Sequence, residues 1–179
     1  MTTSTIASTE IFLIRYGTVP EVARFANASA EFPARGVEVV VETDRGLQMG
    51  SVLERLKPGF DPAGESVTEF KILRAATESD LQSARDRIAE CEEAYPQWCA
   101  RISQWELNLE LVDLEWTLDQ QKLILYVLCD RGPDSTKLAL QAAAGGFGVI
   151  EVQPVSSTGL VTIPQSSCGS GRGGCGCDH

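Results

Sequence analysis

The sequence is poor in histidine and in basic residues. Its one histidine is His179, the last of 179 residues. A core-mounted imidazole is therefore missing, which excludes Ser-His-Asp and Cys-His catalysis. Fifteen Lys and Arg stand against twenty-five Asp and Glu, a net charge of -10. A free-standing, non-specific nucleic-acid binder needs surplus cations to displace counterions, so direct nucleic-acid binding is not expected. A protein partner within an RNA-handling complex stays open. Long apolar runs are also missing. Ile11–Ile14 is too short to span a bilayer, and Met1–Glu10 lacks the basic start of a leader. The expectation is a cytoplasmic protein with no membrane insertion. There is no Gly-rich phosphate loop and no carboxylate pair distinct from surface charge, so no enzyme is expected.

What is present is an ordinary globular composition, 43% hydrophobic and 22% charged. A chain of this length buries a core without disulfides, and in a reducing compartment its six cysteines are not expected to pair. The acidity is concentrated. Glu78 to Asp119 holds eleven acids against three bases, whereas residues 120–179 hold four of each.

The first third reads as β structure. Glu10–Tyr16 is an apolar strand, Gly17–Pro20 a turn and Val22–Phe25 a return. Val37–Glu42 and Leu47–Leu53 form a hairpin around Asp44-Arg45-Gly46. Gly46 supplies a positive φ there, and Gly50 a close backbone approach. Lys57–Gly64 is a Pro- and Gly-rich loop. The middle is a helix starting at Thr77, with Asp80 three residues on as a capping-box partner. Leu81, Ala84, Ile88, Cys91, Tyr95, Trp98, Ile102 and Trp105 recur at spacings of three and four, one stripe on one face. The stripe keeps phase through Pro96, so one kinked helix is expected despite a cost of about 3 kcal/mol for an interior proline.

Leu107, Leu109 and Leu111 alternate with polar residues, as in a strand buried on one face. Asp119–Gln121 turns the chain and Leu123–Cys129 returns. Pro133 opens a second helix over Ser135–Ala144, Gly145 and Gly146 stop it, and Phe147–Val155 is a last strand. With Phe70–Leu73 placed before the long helix, the order is β-α-β-β-α-β, the ferredoxin-like unit. The expected class is α+β. A small β-barrel-like unit (1–64) precedes a ferredoxin-like unit (65–155) and a flexible Cys/Gly-rich tail (156–179).

Two segments carry a family signature. One is Val39-Val40-Val41-Glu42-Thr43-Asp44-Arg45-Gly46-Leu47-Gln48-Met49-Gly50-Ser51-Val52. The other is Ile72-Leu73-Arg74-Ala75-Ala76-Thr77-Glu78-Ser79-Asp80. In this order, with a long acidic helix after them, they resemble the polymerase-suppressor-protein C-terminal domain family and its bacterial YaaT/RicT-like members. The stretch Leu111–Asp119 followed by Lys122-Leu123 is similar to that family's second hairpin. After Arg131 the match thins to Arg131, Asp134 and Leu138. The resemblance implies a non-catalytic adaptor in bacterial RNA processing. It also implies protein partners: an endoribonuclease and small accessory proteins.

The candidate contact residues for a partner or an anion are Glu42, Thr43, Arg45, Gly46, Arg74, Thr77 and Asp80. Arg45 can present a guanidinium outward, or Gly46 can simply shape the turn. Arg74 beside the helix start can bind an anion, or it can pair internally with Asp80 in a cap. Cys91 and Cys129 read as small core residues. The tail offers Cys168, Cys175, Cys177 and His179. Three thiolates and an imidazole are a complete tetrahedral set for zinc, and thiolates also suit an iron–sulfur cluster. The alternative to the adaptor is thus a metal-binding or metal-delivery protein working through this tail.

Overall fold

The computed structural model describes residues 10–57, 70–129, 133–156 and 159–161. Two sheets and two helices form a mixed α+β fold. The first sheet contains β1 (Ile11–Tyr16), β2 (Glu21–Asn27), β3 (Glu38–Thr43), β4 (Gly46–Arg55) and β5 (Lys71–Ala75). They run in the order β1-β2-β5-β3-β4, and β4 pairs back onto β1 to close the ring. The seam between β2 and β5 is short, pairing Ala26 with Lys71 and Asn27 with Ile72. Phe12, Ile14, Phe25, Val39, Val41 and Ile72 fill the ring's interior. Gly50 is obligatory there, because a Cβ would stand 2.5 Å from Ile14 Cγ2.

The second sheet has the order β6-β7-β8-β9, from β6 (Leu109–Trp116), β7 (Leu123–Cys129), β8 (Ile150–Ser156) and β9 (Gly159–Leu160). The helices α1 (Glu78–Gln104) and α2 (Asp134–Ala144) share one of its faces. Cys91, Trp98 and Ile102 of α1 and Leu138 and Ala142 of α2 pack there on Leu111, Leu114, Leu125 and Val127. The opposite face carries Ile124, Tyr126 and Val155, covered by Val19 from the β1–β2 turn. The ring therefore sits against the face that the helices leave free.

The ferredoxin-like arrangement is not what forms. Its expected first strand, β5, lies in the ring, parallel to β2 and antiparallel to β3. The ring thus takes its fifth strand from beyond residue 64. Only Ile72 of β5 is buried, and it belongs to the ring's core. A short strand with one inward residue is matched to a sheet by tertiary partners, not by its own pattern. The long helix forms as one unbroken element through Pro96, with Thr77 as its N-cap. Pro133 caps the second helix. The tail from residue 162 onward lies outside the described residues.

Candidate functional site

The two sheets meet through a polar junction built from side chains that point off both. On the ring side, Gln48 is fully enclosed within β4. Its amide nitrogen donates to Glu115 Oε1 at 2.7 Å, and its oxygen accepts from the Thr43 hydroxyl at 2.8 Å. Glu115 Oε2 accepts from the Thr18 backbone N–H at 2.8 Å and from the Tyr126 hydroxyl at 2.6 Å. The Leu118 N–H donates to the Leu47 carbonyl at 2.7 Å, joining the two hairpins directly.

Arg45 completes the junction. Its side chain is only 10% exposed, lying 3.2 Å from Glu21 and 3.3 Å from Glu151. A further bond reaches Gln153 Oε1 at 3.3 Å. Burial disfavours the guanidinium, but the charges of Glu21 and Glu151 outweigh that and hold its proton more tightly than usual. Burial, reinforced by Glu115, raises the Tyr126 phenol well above its ordinary value. Burial and Glu21 do the same at Tyr16. Both phenols stay neutral donors at any physiological pH. Arg45 is thus engaged internally, and Gly46, at φ 126°, shapes the turn that delivers it. Thr43 is buried within the same network, while Glu42 is exposed and lies 3.8 Å from Lys71.

Arg74, Thr77 and Asp80 are brought together at the start of α1. The Thr77 side chain accepts from the Asp80 N–H at 3.3 Å, and Asp80 accepts from the Thr77 N–H at 2.7 Å. Both Arg74 terminal nitrogens grip the Asp80 carboxylate, one of them at 2.9 Å. Arg74, with help from Thr77, holds the Asp80 carboxyl far below the usual carboxylate range. The helix start is therefore closed by its own cap and ion pair. Cys91 packs in the helix-side core, Cys129 lies at its margin, and neither is in a disulfide. Cys168, Cys175, Cys177 and His179 lie outside the described residues. Among the described residues, no group of three or more His, Cys, Asp or Glu is placed to hold a metal ion. No helix among them is long and apolar enough to cross a membrane.

Beside the junction a groove of about 580 Å³ opens between α1, β6 and the ring. The N-terminal half of the apolar stripe of α1 runs into it. Ala84 and Ile88 line the groove, and Ile88 is 58% exposed. Met49 from the ring and Leu114 and Trp116 from β6 form the other apolar walls. Burial pushes the Cys91 thiol, at the groove floor, up to about 11. The edge of β6 facing α1 has little backbone to offer. The Tyr95 hydroxyl donates to the Leu111 carbonyl at 2.8 Å. The Leu114 N–H bonds the Asp113 carboxylate.

The segment forming β5, α1, β6, β7 and most of α2 is the part that a family model matches. Residues 70–141 match the PSP1 C-terminal conserved region. The resemblance read from the sequence holds over this stretch. The stage 0 sporulation protein YaaT of Bacillus subtilis (strain 168) is 29% identical over 106 residues, which is 59% of this chain. The chain spans 38% of that curated relative's own length. No solved structure matches. The groove belongs mostly to the matched segment, through α1 and β6, whereas Arg45 and Gln48 come from the ring outside it.

Sequence reasoning missed Glu21, Gln48, Glu115, Tyr126, Glu151 and Gln153 as one constellation. The one local signal was a tyrosine inside the apolar run Leu123–Cys129, since a buried phenol needs an acceptor.

Proposed function

We propose that this protein is a non-catalytic adaptor that acts in bacterial RNA processing through protein partners. The match of residues 70–141 to the PSP1 C-terminal conserved region, together with the likeness to YaaT, is the observation that carries this reading. Those partners include an endoribonuclease and small accessory proteins. The charge balance supports contact with proteins in preference to free RNA, because acids dominate α1 and β6. The protein works inside the cytoplasm. Deleting the gene and mapping transcript ends tests the role: altered processing of specific transcripts is expected. Unchanged ends across the transcriptome would overturn it.

The second reading rests on the spacing of Cys168, Cys175, Cys177 and His179. These donors suit zinc or, through the thiolates, an iron–sulfur cluster. Anaerobic purification with metal analysis, with and without residues 168–179, tests it. Stoichiometric zinc or iron lost with the tail supports metal binding, and sub-stoichiometric metal unchanged by the truncation refutes it.

A further inference from the structure

The apolar stripe of α1 is longer than the sheet that covers it. Cys91, Trp98 and Ile102 are buried against β6 and β7, but Ile88 is left open at the mouth of the groove. An amphipathic helix gains by covering such a residue, and Met49, Leu114 and Trp116 make the facing walls apolar too. The titratable rim is acidic. Glu92 and Asp113 border the groove, and Glu115 is already saturated by three hydrogen bonds. The one cation there, Arg87, lies 3.0 Å from Glu90, so its charge is already countered.

We propose that this groove receives a basic amphipathic segment of a partner protein. Its apolar side chains cover Ile88, Met49 and Trp116, and its Lys or Arg residues meet Glu92 and Asp113. Strand addition to β6 is disfavoured, because side chains already occupy the groups at Leu111 and Leu114. Charge complementarity selects the sign of the partner. The proposal rests on the adaptor reading and names the surface that reading would use.

The test uses the full chain and two designed amphipathic peptides, one of leucine and lysine and one of leucine and glutamate. Fluorescence anisotropy measures binding to the wild type and to Ala84→Trp, which fills the groove, and Glu92→Lys, which reverses its rim. Glu54→Lys, an exposed site on the ring, makes the same charge change elsewhere. Circular dichroism verifies that each variant is folded. The expected result is binding of the lysine peptide only, weakened about tenfold or more by Ala84→Trp and by Glu92→Lys but not by Glu54→Lys. Equal binding to all variants, equal binding of the glutamate peptide, or no binding overturns the proposal. So does a wild-type dimer that Ala84→Trp dissociates, which would make a second copy the occupant. Co-purification from the native cell separates the two levels. Partners recovered equally by wild type and Ala84→Trp leave the adaptor reading intact and refute the groove. No partners with the wild type refutes the adaptor reading itself.

Discussion

Gln48 Nε2 donates to Glu115 Oε1 across 2.7 Å, and this bond ties the ring to the edge strand of the second sheet. The same carboxylate also holds Thr18 and Tyr126, so one side chain serves three elements. Glu115→Ala leaves three donors without an acceptor, and a drop of about 2–3 kcal/mol is expected. Gln48→Ala removes one arm, and about 1 kcal/mol is expected. Urea denaturation of both variants and of the double variant measures the coupling. The double loss should fall short of the sum of the single losses, because both act on one bond.

Arg45 is the charged counterpart of that bond. Arg45→Met removes the cation beside Glu21 and leaves Glu151 with Lys122 alone, at 2.8 Å. Both are partly solvated, so the loss is expected at about 2 kcal/mol, below that for a fully buried pair. Lysine should not rescue it, because one ammonium cannot reach Glu21, Glu151 and Gln153 as a planar fork does. Thermal melts of Arg45→Met and Arg45→Lys check both expectations.

The cap of α1 predicts an acid response. The Asp80 carboxyl is held far below its ordinary value, chiefly by Arg74. A carboxyl with a depressed folded value stabilises the fold fully above its unfolded value, about 3.9. That stability is lost as pH falls through the lower, folded value. Asp80→Asn is therefore expected to be less stable than the wild type at neutral pH, with the gap closing below about pH 4. Thr77→Ala should cost about 1 kcal/mol, since it removes the other half of the cap. Denaturation curves across a pH series measure both.

Pro96 is exposed inside α1 and leaves the Glu92 carbonyl without its usual helical donor. Pro96→Ala is expected to raise stability by about 1–3 kcal/mol. Its melting temperature should rise, and an unchanged or lower value would mean that the proline serves packing.

The sequence made the local elements legible wherever a period or a cap was strong. The 3.6-residue stripe survived Pro96 because Cys91, Trp98 and Ile102 lie on the side that the sheet covers. Thr77 with Asp80 marked the helix start, and Gly46 and Gly50 marked a turn and a close approach, all from short-range chemistry. Sheet membership was another matter. The strand Lys71–Ala75 carries no mark of which sheet it joins, and only its pairing with β2 and β3 places it in the ring. The alternation of Leu107, Leu109 and Leu111 shifts phase between Leu111 and Asp113, which turns Glu115 to the face that the ring covers. Alternation shows that one face is polar, but not that a second sheet will cover that face. Arg45 was legible as a turn residue, and its burial follows from Glu21 and Glu151, which are distant in sequence.

The central claim is that this chain acts by holding other proteins. Affinity purification of the tagged, full chain from its native cell, with bound proteins identified by mass spectrometry, tests it most directly. Recovery of an endoribonuclease or its small accessory proteins, well above an untagged control, is expected. Recovery of no protein above that control, or of metalloenzymes and cluster-assembly proteins alone, would contradict it.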